Sequence, residues 1–158
     1  ATDLNLSHVV PQDARLGRVA KAAPGTETAA RRLLALTEAG LTPVMSSVGI
    51  DGEGQLWNIN ADDVALAVAL LLKAPLIFLS DVRGVLDAEK NLIRTLTPDT
   101  AQKLMADGVI SGGMTVKVNA ALAAAAATKA PVAVASVFDE TLTPCLLSGK
   151  LPGTVFAA

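Results

Sequence analysis

Aromatic side chains are almost missing from this chain of 158 residues, which holds one Trp, three Phe and no Tyr. A core so poor in rings must be filled by aliphatic residues, and at 51% hydrophobic the chain has enough of them for one domain. Cysteine and histidine occur once each, as Cys145 and His8. A lone cysteine forms no internal disulfide, and neither residue by itself builds a zinc or similar metal cluster. A reducing, cytoplasmic setting with no protein-built metal site is therefore expected. Cys145, between Pro144 and Leu146-Leu147, reads as a small buried hydrophobe, and His8 as an ordinary surface or half-buried side chain.

Charge is scarce as well. Charged residues make up 18% of the chain, the formal net charge is −2 and the pI is about 5.3. No Lys/Arg run and no basic-aromatic interleaving is present, so a nucleic-acid partner is set aside. The longest apolar stretches, 64–72 and 116–127, fall short of a membrane span and contain or adjoin Lys, Asn and Thr, so no transmembrane helix is expected. The opening Ala1-Thr2-Asp3-Leu4-Asn5 has neither the basic nor the apolar region of a signal peptide and no initiator Met, and it reads as a processed, truncated or engineered start. The Walker A string is also missing, because Gly149-Lys150 is followed by Leu151 and lacks the first glycine.

What is there alternates between helix and buried strand, the mark of an α/β fold. Leu4, Leu6, Val9 and Val10 suit a short strand or hairpin arm before a turn at Pro11-Gln12-Asp13. Thr26 can cap a helix whose stripe of Ala29, Leu33, Leu34 and Leu36 runs to Ala39-Gly40. The run 41–48 reads as a buried strand, and the glycines of 49–55 as a tight hairpin turn. A helix over 61–73 is apolar nearly all round, which implies burial on more than one side. Pro75-Leu76-Ile77-Phe78-Leu79 resembles a central parallel strand. Thr97-Pro98 opens another helix that ends at Asp107-Gly108, the Val116-to-Ala127 tract continues a helix after Gly113, and 131–135 is a further buried strand. A short helix within 137–147 and a last edge strand or strand end at Gly153-Thr154-Val155-Phe156 complete the reading. One domain spanning 1–158 is expected, a three-layer α/β/α sandwich with a mostly parallel central sheet.

Two helix starts carry the candidate chemistry. Asn60 suits an N-cap, and Asp62 and Asp63 then lie where the helix dipole favours negative charge, which accounts for both acids without any function. Capping leaves Asn58 unexplained. It also leaves Ser111-Gly112-Gly113, whose side-chain-free glycines let backbone N–H groups approach an anion, with Lys117 one turn inside the helix that follows. A carboxylate at one helix start and an ammonium at another suit phosphoryl transfer. Ser80 and Asp81, just past a strand's carboxyl end, are ligand candidates by position, although a polar exit turn would explain them equally well.

The strings Ser46-Ser47-Val48-Gly49, Glu53-Gly54-Gln55-Leu56, Asn58-Ile59-Asn60-Ala61-Asp62, Leu79-Ser80-Asp81-Val82, Gly112-Gly113-Met114, Lys117-Val118-Asn119-Ala120-Ala121 and Gly153-Thr154 stand in one order. In that order they resemble the amino-acid kinases, and within them the acetylglutamate kinases, over the second, nucleotide-binding half. The resemblance implies ATP with Mg2+ as cofactor and transfer of the γ-phosphoryl to the side-chain carboxylate of N-acetyl-L-glutamate. It implies that Lys117 stabilises charge on the transferring group, that Asp62 orients the lysines, and that Asn58 holds the substrate's α-carboxylate. Nucleotide contacts would fall at Ser80, Asp81, Val82, Arg83, Gly84, Val85 and Leu86, and again at Val109, Ile110, Ser111 and Gly113. The family's first half carries a strand with a further catalytic lysine, a second glycine loop and a substrate-binding arginine, none of which occurs in this sequence. The chain alone is thus expected to bind ATP or ADP with negligible activity, and to meet N-acetyl-L-glutamate only when the first half is supplied. Its expected partner is a second copy or a complementing fragment. A non-catalytic nucleotide-binding or subunit-pairing domain, or the same half of a kinase acting on carbamate, glutamate, aspartate or uridylate, remains the alternative.

Overall fold

The computed structural model describes residues 7–12, 15 and 17–157, and their contacts group into two units, 1–74 and 75–158. The expectations at Leu4, Leu6 and Asp13, at the first five residues and at the side chain of His8 lie outside the described residues.

In the first unit, β1 (Ser7–Pro11) pairs antiparallel with β2 (Val19–Pro24), a strand that sequence patterning did not reveal. Helix α1 (Glu27–Glu38) starts where Thr26 Oγ1 accepts the Ala29 N–H at 3.2 Å. Strands β3 (Val48–Ile50) and β4 (Leu56–Ile59) form the expected hairpin, and β4 also runs parallel to β2, giving a sheet in the order β1-β2-β4-β3. The hairpin turn is held by Asp51, whose Oδ1 accepts the N–H groups of Glu53 and Gln55 at 2.9 Å each, while Oδ2 accepts Trp57 Nε1–H at 2.7 Å. Helix α2 (Ala61–Leu72) is capped by Asn60, whose Oδ1 accepts the Asp62 N–H at 2.8 Å. Its all-round apolarity finds two neighbours. Val68 packs with Ala29 and Leu33 of α1, and Val64 packs with Ala20 of β2 and Ile59 of β4.

One expectation fails in this unit. The run 41–48 is not a buried strand: only Val48 enters one, 41–46 has no regular structure, and Val44 is 94% exposed. Its ties to the sheet come at its end, where the Ser47 carbonyl accepts the Ile59 N–H at 3.0 Å and Val48 pairs with Asn58 of β4.

The second unit holds β5 (Leu76–Ser80), β6 (Thr95–Leu96), α3 (Pro98–Ala106), α4 (Gly113–Thr128), β7 (Val132–Ser136), α5 (Leu142–Leu147) and β8 (Thr154–Phe156). Its sheet has the order β5-β7-β8-β6, with β5–β7 and β6–β8 parallel and β7–β8 antiparallel. All of β7 is buried, and Val118, Ala121, Ala124 and Ala125 of α4 are buried with it, the small side chains letting helix and sheet approach closely. Thr97 and Pro98 open α3 as expected, with Thr97 Oγ1 accepting the Thr100 N–H at 3.3 Å.

The α/β class stands, and three details change. The described strands form two four-stranded sheets in which parallel and antiparallel pairings are evenly mixed, because two hairpins and the β7–β8 return supply antiparallel neighbours. Strand β5 is parallel but lies at the end of its sheet, with Leu79 half exposed, whereas β8 lies inside the sheet and buries Phe156 completely. Cys145 is only partly buried, since α5 buries none of its residues.

Candidate functional site

The chemistry of the second unit gathers at the carboxyl end of β5. Ser80 closes the strand, and its hydroxyl donates to Asp81 Oδ1 at 2.8 Å. Lys117 reaches the same place from α4, its Nζ donating to Ser80 Oγ and lying 3.5 Å from Asp81 Oδ1. The helix register explains this convergence, because Lys117 lies one turn in from Gly113, on an α4 that packs against β7 beside β5. The Ser80 hydroxyl, then the backbone N–H of Asp81, then the ammonium of Lys117 hold the Asp81 carboxyl below its ordinary value of 3.8. Asp81 is therefore an anion at neutral pH. It is also 79% exposed, and a solvated ion pair of this kind contributes little to folding. The pair aims the ammonium without binding it so tightly that a phosphate could not take it over.

Next to this group, 82–86 turns through Gly84 (φ +137°) and faces the end of α3 across a cleft of about 430 Å³. Eight expected residues line it: Val82, Arg83, Gly84, Val85, Leu86, Val109, Ile110 and Ser111, joined by Asp87 and Met114. Ligand pockets of small molecules commonly span about 300–1,000 Å³ with apolar walls and a few polar groups, and this cleft has that character. Ser80, Asp81 and Gly113 do not line it. The first two belong to the lysine cluster, and Gly113 is the first residue of α4. Asp87 and Met114 line the cleft without having been expected there, although both adjoin expected residues in sequence. Helix α4 starts at Gly112 (φ +56°) with no side-chain cap, so its N-terminal dipole is not already engaged by a side-chain oxygen.

The residues present fit a nucleoside polyphosphate: an aliphatic cleft for the nucleoside, then an ammonium and an uncapped helix start for anionic oxygens. Among the described residues no group of three or more His, Cys, Asp or Glu is placed to hold a metal.

In the first unit, Asn58 is exposed on β4, paired in register with Val19 and Val48. Asp62 is exposed in the first turn of α2.

The model of the amino acid kinase family matches residues 2–136. Acetylglutamate kinase of Yersinia pestis (strain Pestoides F) is 47% identical over 152 residues, covering 96% of this chain and 58% of that relative. The chain thus spans a little over half the length of the curated relatives it matches. Among solved structures, N-acetylglutamate synthase from Neisseria gonorrhoeae complexed with coenzyme A and N-acetyl-glutamate aligns over 98% of this chain and 37% of its own, with a TM-score of 0.77 and 21% identity. Carbamate kinase from Giardia lamblia bound to AMP-PNP aligns over 96% of this chain and 60% of its own, with a TM-score of 0.60 and 18% identity. No described helix is long and apolar enough to cross a membrane.

Proposed function

The chain belongs to the amino acid kinase family, and on that premise we propose that it is the ATP-holding part of an acetylglutamate kinase. The whole activity would be transfer of the ATP γ-phosphoryl to the side-chain carboxylate of N-acetyl-L-glutamate, a step of arginine biosynthesis. The observation that carries the reading is the cleft walled by 82–86 and 109–111, with the Ser80–Asp81–Lys117 cluster beside it. In this reading the cleft takes the nucleoside. Lys117 exchanges its contacts with Ser80 and Asp81 for phosphate oxygens, where its charge offsets the negative charge of the transferring group. Bound Mg2+ would neutralise part of the phosphate charge. Asp62 serves to orient phosphate-facing ammonium groups, and Asn58 to bind the α-carboxylate of the acceptor.

The chain alone supplies one phosphate-facing lysine, and loss of one such preorganised group commonly costs about a hundredfold or more in rate. It therefore binds ATP and turns over negligibly until a first-half polypeptide is added. A second reading, a non-catalytic subunit-pairing domain, draws on the exposed apolar run 41–48. Calorimetric titration with ATP and ADP, followed by a phosphoryl-transfer assay with and without the first-half polypeptide of a relative, separates the two. ATP binding that weakens about tenfold or more in Lys117→Met supports the nucleotide role, and transfer only in the mixture supports the kinase. No binding at millimolar ATP leaves the pairing role alone, and enzyme-like turnover by the unmixed chain contradicts the proposed division of labour.

A further inference from the structure

Against the Gly84–Val85 wall of the cleft lies a completely buried hydroxyl that capping and core packing do not explain. Thr154, at the start of β8, has no exposed surface. Its Oγ1 accepts the Val85 N–H at 2.8 Å and donates to the Ile93 carbonyl at 2.6 Å. The Ile93 N–H returns to the Val85 carbonyl at 2.9 Å. These three bonds close a ring, and both backbone polar groups of Val85, a cleft residue, are used up in it. Gly84 fits against the same hydroxyl: a Cβ there would lie 2.5 Å from Thr154 Oγ1 and 2.8 Å from Leu92 Cδ1.

We propose that Thr154 is a positioning residue for the nucleotide, fixing the Gly84–Val85 wall of the cleft through this ring; the inference rests on the nucleotide reading above. Two consequences follow from hydrogen-bond bookkeeping. The Val85 N–H is already donated and cannot serve a phosphate, so Val85 meets the ligand through its side chain. Replacing the hydroxyl with a methyl leaves a buried N–H without an acceptor, which the loop relieves by moving toward water and so deforming the wall.

The test compares Thr154→Val, which keeps shape and loses the hydroxyl, with Thr154→Ser, which keeps the hydroxyl. Thermal unfolding establishes that each variant is folded, ATP titration reads binding, and amide hydrogen exchange reads the Val85 N–H in the unmodified 158-residue chain. The expected result is an ATP Kd raised about tenfold or more in Thr154→Val, restored to within about threefold in Thr154→Ser, with a slowly exchanging Val85 amide. A folded Thr154→Val chain with an unchanged Kd overturns the inference and leaves the nucleotide reading standing. Failure of the unmodified chain to bind ATP removes both. Should Thr154→Val fail to fold, the amide decides: exchange as fast as that of exposed loop residues refutes the ring.

Discussion

Strand β7, which follows Pro131, and the stretch 41–47, which contains Pro43, are both short runs rich in aliphatic and small residues, and they end differently. Val132 to Ser136 lies between β5 and β8 with all five residues buried. In 41–47, by contrast, Leu41 is 56% and Val44 94% exposed, and among the described residues the tie to the sheet comes at its last carbonyl, Ser47 accepting the Ile59 N–H at 3.0 Å. What separates them is neighbours. β7 receives a strand on each edge from its own unit, and those ladders hold it where α4 can cover it. An apolar run becomes a strand only when its backbone groups find partners, so composition reports the demand for burial and topology decides whether it is met.

The comparison breaks most sharply at the glycines. In the second unit a Cβ on Gly153 (φ +66°) would stand 2.0 Å from the Val134 carbonyl oxygen and 2.8 Å from Ala135 Cα, so Gly153→Ala must displace β7. We expect a loss of about 3 kcal/mol or more in denaturant unfolding. Gly52→Ala, in the hairpin turn of the first unit, meets nothing within 4 Å and should stay within about 0.5 kcal/mol. Equal losses would mean that the two units are packed alike.

A smaller effect sharpens the same contrast through side chains. Val134→Ala removes two buried methyl groups and should cost about 2 kcal/mol, whereas Val44→Ala should change stability by less than about 0.5 kcal/mol. A large cost at Val44 would show that 41–47 is packed in solution after all.

Much of the second unit was legible because its signals are local. Thr97-Pro98 marks a helix start by its own chemistry, and the glycines at 112–113 together with Lys117 mark another. The cleft residues came from the resemblance and from their position past the end of a strand. Strand β2 was illegible because Val19–Pro24 has little alternation and owes its place to β1 and β4, which lie on either side of it. The inner position of β8 and the edge position of β5 were equally hidden, since strand order depends on pairing between distant segments. The clamping role of Thr154, a residue the sequence marks only as a strand end and a family string, was hidden because it depends on two backbone groups about sixty and seventy residues away.

The smallest expected effect concerns how the first unit holds its hairpin. Trp57 Nε1–H, then the backbone N–H groups of Gln55 and Glu53, keep the Asp51 carboxyl below its ordinary value of 3.8. A lowered folded pKa means that the stabilisation is present above the ordinary carboxylate range and fades as pH falls through the folded value. Emission of Trp57, the only tryptophan in the chain, should thus stay constant from neutral pH down to the ordinary carboxylate range and change only below it. A transition near neutrality would contradict the Asp51 assignment.

The claim on which the account depends is that the second unit carries the nucleotide. Amide chemical-shift mapping during an ATP titration of the full chain tests it residue by residue. The account predicts saturable changes confined chiefly to 80–87 and 109–117, with 41–50 silent. Changes centred on 41–50, or no saturable change at millimolar ATP, would contradict it.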